Sequence, residues 1–410
     1  MSTSSTRRSR VRATASAALG MLLVGIASVP AHAESIRDRQ WHLDAFGAEK
    51  IWQLSTGKGV TVAVIDSGVD RQSPDLRGQV LKGRDFAPDE AGDEFTDYTG
   101  HGTTMAGLIA GTGEANGGDG AFGLAPGAKI LSVRVPGSDG GKQSQTEANR
   151  EFNRVMPEAI RFAVDSGAKV VNISQASPED SPQLTDAVKY ALDKGALVFA
   201  GVGNSGDKRN SRQYPGATPG AVGVGAVDKK ATHIPISQHG PQVDFVAPGK
   251  DTLAACADNR VCTSSGTSNA TALASAAAAL IWSKHPDWTN NQVLKVMLNT
   301  VAKPSGGEKR SDFIGYGVIR PLRALQTPGD PGPAGVRPIQ DLEETITATP
   351  SAPASAGPAT SAPSAPAPAP APEASSEDGG NTGLWTGLGI GAAVLIGAAV
   401  AVPVLRSRRS

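Results

Sequence analysis

Short apolar runs rich in β-branched residues recur through the middle of this chain, at residues 60–65, 129–133, 169–173, 196–200 and 221–227. They are continuous rather than alternating, the pattern of strands buried on both faces, and both faces are covered in a parallel sheet flanked by helices. Helical stretches separate them: residues 101–110, residues 157–166, where Pro157 suits a first turn, and residues 181–194. Such alternation predicts an α/β domain, doubly wound, with a mostly parallel sheet and helices on both faces. The stretch 136–156, polar and Gly-rich early on, is expected as an exposed excursion with some helix.

Outside that core the chain changes character. Arg7, Arg8, Arg10 and Arg12 precede an apolar run at 13–29, and Ala31-His32-Ala33 supplies small residues, so residues 1–33 read as a secretory signal peptide. Residues 383–405 are almost wholly apolar and are followed by Arg406, Arg408 and Arg409. They are expected to form one C-terminal transmembrane helix, with a cytoplasmic basic tail at 406–410 and everything before the helix outside the cell membrane. Residues 328–382 are dominated by Pro, Ala, Ser and Gly and bury too little apolar surface to fold, so a disordered tether is expected there. The globular domain is then 34–327.

Lys+Arg and Asp+Glu both number 39, so no net field points to a nucleic acid. Cys256 and Cys262, both in the exported part, are expected to form a disulfide. Two thiols without neighbouring histidines do not complete a metal site, and no metal or other cofactor is expected. The acidic pairs Asp89-Glu90 and Asp93-Glu94 fit solvated surface charge better than calcium ligands.

Four positions carry chemistry. Asp66 follows the first apolar run, at the strand edge where open α/β sheets place their sites. His101 lies between Gly100 and Gly102 at the start of a helical segment, and small neighbours let other backbone approach an imidazole. Ser268 lies in Ser-Ser-Gly-Thr-Ser-Asn-Ala just ahead of an alanine-rich helix, whose unpaired N–H groups suit a developing oxyanion. Read alone, those hydroxyl residues fit a helix cap better than a site. Asn204 follows the fourth run and offers a side-chain N–H as a second oxyanion donor. Residues 201–206 also fit a dinucleotide-binding glycine pattern, but that pattern opens a helix, and here a loop rich in charged residues follows. Gly266 to Ala270 approaches the nucleophile elbow of α/β-hydrolases, whose triad order the histidines do not match.

The order Asp66, His101, Ser268 does fit a family. Asp-Ser-Gly after a strand, Gly-His-Gly-Thr opening a helix, Gly-Asn after a strand and Gly-Thr-Ser-x-Ala opening a helix together resemble the subtilisin-like serine proteases. Asn172-Ile173-Ser174, Tyr214-Pro215 and Ala247-Pro248-Gly249 add to the match. Within that family, the signal peptide, the start at Arg37-Asp38-Arg39-Gln40-Trp41, the tether and the span resemble the mycosins, membrane-anchored proteases associated with type VII secretion. The resemblance implies a subtilisin-like fold and an endopeptidase in which Ser268 attacks, His101 moves the proton and Asp66 holds the imidazole. It further implies Asn204 as oxyanion donor and Ser174, Gln175 and Ala176 as the wall of the substrate groove. The partners it implies are a protein or peptide substrate, the cytoplasmic membrane and secretion-system membrane components; a scaffold role in such a complex is the second reading. The stretch from Glu34 to Asp66 is too short for a folded inhibitory prodomain, which agrees with the mycosin pattern. Three positions depart from the family: Asn269 where Met is usual, Ala272 for a Pro, and Ala176 for a Gly in the groove. The added methyl at Ala176 predicts narrow specificity and slow turnover on generic substrates.

Overall fold

In the computed structural model, residues 34–136 and 144–341 are described. The expected signal peptide, transmembrane helix and basic tail, and the tether beyond residue 341, lie outside them. Among the described residues no helix is long and apolar enough to cross a membrane.

Seven strands pair in parallel in the order β2-β3-β1-β4-β5-β6-β7. They are β1 Thr61–Asp66, β2 Val80–Asp85, β3 Lys129–Arg134, β4 Val170–Ile173, β5 Leu197–Gly201, β6 Val222–Val227 and β7 Phe245–Pro248. The five expected runs are all strands of this sheet. Strands β2 and β7 were not legible, because β2 is half-exposed and carries charge while β7 is very short. The pleat sends Val62 and Val64 of β1 into one core and Ala63 and Ile65 into the other, and Leu197/Phe199 and Val198/Ala200 of β5 divide in the same way. The first core is closed by α1 Trp41–Phe46, α2 Ala48–Trp52, α3 His101–Ala110, α6 Thr267–Lys284, α7 Asn290–Thr300 and α8 Pro321–Gln326. The second is closed by α4 Gln145–Asp165 and α5 Pro182–Asp193.

Helix α6 is buried along almost its whole length, from Thr267 to Trp282. Its run of alanines leaves room for α3 on one side and the sheet on the other, which explains a helix apolar all round its circumference. Helix α4 corrects one expectation. It begins at Gln145, well before Pro157, because Ser144 and Glu147 form a capping box that satisfies the first-turn N–H groups. Pro157 therefore sits inside the helix, and the stretch expected as an excursion supplies its first half.

After β7 the chain turns back as an antiparallel hairpin, β8 Thr252–Cys256 and β9 Arg260–Ser264. Cys256 and Cys262 are joined across it, with their Cα atoms 5.9 Å apart.

Both flanks of the domain are laced to it. At the front, Ile36 N–H donates to Asp119, Trp41 Nε1 to the carbonyls of Lys250 and Asp251, and Gln40 Nε2 to those of Phe122 and Leu253. At the back, the boundary expected at residue 327 is too early. Side chains of α7 capture carbonyls of the following segment: Asn299 that of Asp330, Gln292 that of Gly332 and Asn291 that of Ala334. Arg337 pairs with Asp341, and together they bond both the carbonyl and the N–H of Gly220. Residues 328–341 thus form a strap on the domain, held largely through their own backbone.

Candidate active site

Strand β1 lies between β3 and β4, where the winding direction of the sheet reverses, so the chain opens a crevice at its C-terminal end. Asp66 is the last residue of β1 and is fully buried. Its Oδ1 accepts the Ser67 N–H at 2.8 Å and lies 2.7 Å from His101 Nδ1. A carboxylate there places the imidazole proton on Nδ1 and makes Nε2 the acceptor. His101 is the first residue of α3, its side chain 38% exposed. A Cβ on Gly102 would lie 2.1 Å from the Gly68 carbonyl and 3.1 Å from Asp66 Cβ, so only glycine lets α3 start this close to the end of β1.

Ser268 is the second residue of α6, where its own N–H has no partner within the helix. Its hydroxyl donates to the Ser174 carbonyl at 3.3 Å, and the Ser174 hydroxyl donates to the Ser268 carbonyl at 3.3 Å. The loop after β4 is in this way stitched to the head of α6. The exposed Asn204 follows β5, and its Oδ1 accepts the N–H of Thr267 at 2.9 Å and its hydroxyl at 3.2 Å. With the oxygen so occupied, Nδ2 is the atom left to face outward. One cavity of about 460 Å³ is lined by Asp66, His101, Ser174, Gln175, Ala176, Asn204 and Ser268. Every residue singled out from the sequence for a reaction or a groove therefore borders the same space. Gln175 and Ala176 also border a small apolar cavity against Phe152, Val155 and Met156 of α4. Among the described residues, none before Asp66 lines the large cavity.

Two of the three departures, Asn269 and Ala272, have local explanations. The Asn269 amide is buried and donates to Thr252 Oγ1 at 2.6 Å and Ser264 Oγ at 2.8 Å, residues that face each other at the base of the disulfide hairpin. Ala272 is fully buried and keeps the N–H that proline would remove from α6. The acidic loops are engaged within the protein: Glu90 pairs with the buried Arg134, and Asp93 Oδ1 accepts from Phe95 N–H and the Thr96 hydroxyl. Among the described residues no group of three or more His, Cys, Asp or Glu is arranged to hold a metal ion. Gln213 and Gln238, which also line the large cavity, carried no signal in the sequence.

A profile of the subtilase family, Peptidase S8, matches residues 57–317. The intracellular serine protease of Paenibacillus polymyxa is 36% identical over 239 residues, 57% of this chain and 70% of that protein. The structure of MycP3 protease from the type VII (ESX-3) secretion system superposes with a TM-score of 0.62 at 31% identity, covering 70% of this chain and 88% of that one. A chain of the periplasmic assembly from the ESX-5 inner membrane complex gives a TM-score of 0.64 at 26% identity, over 83% of this chain and 92% of that one.

Proposed function

The chain belongs to the subtilase family and is a serine endopeptidase, and on that premise we propose that Ser268, His101 and Asp66 carry its reaction outside the cytoplasmic membrane, in association with type VII secretion. The observation that carries this reading is the 2.7 Å contact between buried Asp66 and His101 Nδ1 in a cavity that Ser268 also borders. His101 Nε2 takes the hydroxyl proton as Ser268 Oγ attacks the substrate carbonyl, and the imidazolium is held by Asp66. The Ser268 N–H and Asn204 Nδ2 receive the oxyanion. His101 then delivers its proton to the leaving amine, the acyl-enzyme remains on Ser268, and water releases it by the reverse sequence of proton transfers. The extended substrate lies along Ser174, Gln175 and Ala176.

The ordered domain lies within 34–341, preceded by a signal peptide at 1–33 and followed by a tether from about residue 342 to 382, a span at 383–405 and a basic tail at 406–410. Exported and held by that span, the domain works on protein or peptide substrates, beside secretion-system membrane components. The resemblance to MycP3 supports the secretion link, and the resemblance to a chain of the ESX-5 assembly supports a second role as a structural part of such a complex.

The test is labelling of the full-length chain by a fluorophosphonate. Labelling of the wild type, abolished in Ser268→Ala, is expected; an unlabelled wild type refutes the triad. In cells, secretion that needs the protein but tolerates Ser268→Ala would assign the scaffold role instead.

A further inference from the structure

Asp97 belongs to no motif read from the sequence. Its carboxylate nevertheless joins the two halves of the candidate active site. Oδ1 accepts the Ser67 hydroxyl and the Gly100 N–H, both at 2.8 Å. Oδ2 accepts the Thr103 N–H at 2.8 Å and its hydroxyl at 2.6 Å. The two N–H groups in between end on the same cluster: His101 N–H donates to Thr99 Oγ1 at 3.1 Å and Gly102 N–H to Ser67 Oγ at 3.1 Å. Thr99 in turn donates to Ser67 Oγ at 2.8 Å. The donors that a helix start leaves unpaired are thus gathered, over residues 100–103, by one carboxylate and two hydroxyls. Ser67 is the residue after Asp66, so the same cluster fixes the end of β1 against the start of α3.

The loop that carries Asp97 is itself anchored. The Glu94 carbonyl accepts the Val69 N–H at 3.3 Å and the Ser132 hydroxyl at 2.5 Å. Buried Arg134 pairs with Asp85 and Glu90 and lies over the Tyr98 ring. A carboxylate held on both sides in this way can set a distance.

We propose that Asp97 is a positioning residue for the peptidase reaction, holding His101 in register with Asp66. The inference rests on the triad reading. Asp97→Asn keeps one acceptor oxygen but turns an NH2 toward either the Thr103 donors or the Ser67 and Gly100 donors, so one side of the brace opens. Misplacement of a reacting group by about 1 Å costs on the order of a hundredfold in rate.

The assay is the concentration dependence of fluorophosphonate labelling of the full-length chain, which separates the maximal rate from the half-saturating concentration. For Asp97→Asn the maximal rate is expected to fall about 10- to 100-fold with half-saturation unchanged, and Asp97→Glu is expected to recover part of the loss. Ser67→Ala is expected to slow labelling in the same sense, and the double variant Ser67→Ala/Asp97→Asn to be no more than about twofold slower than Asp97→Asn, since both act through one brace. Wild-type rates in Asp97→Asn, or losses that multiply in the double variant, overturn the proposal. If Asp97→Asn does not fold, Ser67→Ala and Asp97→Glu decide: wild-type rates in both overturn it, and slowed rates at unchanged half-saturation support it. An unlabelled wild type would instead refute the triad reading, so the two failures are told apart.

Discussion

Replacing Asn269 by alanine tests whether the residue after Ser268 clamps the hairpin. Its amide donates to Thr252 on β8 and to Ser264 on β9, which are register partners. Alanine removes both bonds and leaves a small void beside two hydroxyls, one of them, Thr252, 1% exposed. At about 0.5–1.5 kcal/mol net for each bond, the loss is roughly 1–3 kcal/mol. For a domain of this size that lowers Tm by about 2–5 °C. The loss should be concentrated in the hairpin, so hydrogen exchange at residues 252–264 should rise by more than exchange in β4 or β5. A cycle with Ser264→Ala should show coupling of about 0.5 kcal/mol or more, because the two side chains share one interaction. An unchanged Tm, or destabilisation spread evenly over the sheet, would refute the clamp.

The groove and the buried titrating groups give further tests. Ala176→Gly should raise turnover of unselected peptides by about fivefold if the methyl costs on the order of 1 kcal/mol against a bound backbone; equal or slower cleavage of casein counts against that. His42 is fully buried, and desolvation, with Arg37 nearby, pushes its pKa down from the ordinary 6.5 to about 3. The folded state therefore binds fewer protons than the unfolded one in that window, and the His42 contribution is complete above 6.5 and lost as pH falls toward 3. Burial pushes Asp244 the other way, up from the ordinary 3.8 to about 7, so its contribution is complete below 3.8 and lost as pH rises toward 7. Between 3.8 and 6.5 the two slopes oppose each other. Asp244→Asn should uncover the His42 slope, a rise of about 1.4 kcal/mol per pH unit, and be more stable than the wild type at pH 8 in urea unfolding. Parallel stability curves for the two proteins would contradict both assignments.

The parts of the site that were legible are those where chemistry and secondary structure share a boundary. Asp66 ends an apolar run, His101 opens a helix between glycines, and Ser268 precedes an alanine-rich helix, so each is marked twice. Asp97 was hidden because it is one acid among several in a loop, and only its distance from the first turn of α3 hinted at a capping role. The start of α4 was obscured by Pro157, which favours a first turn but does not require one once a capping box lies upstream. The strap at 328–341 was misread from composition. Its proline and glycine supply almost no side-chain signal, and the residues that hold it, Asn291, Gln292 and Asn299, lie in a different helix.

That strap also decides where the domain takes mechanical load. Its last grip is the Arg337–Asp341 pair on Gly220, just ahead of the first residue of β6, whereas the cavity opens at the C-terminal ends of the strands. Tension applied from residue 342 onward would enter at the opposite end of the sheet from Ser268. It would have to break that ion pair and then strip the carbonyls of Ala334, Gly332 and Asp330 from α7 in turn before reaching α8. The strap would therefore give way in steps before load reached the end of the sheet where the cavity opens.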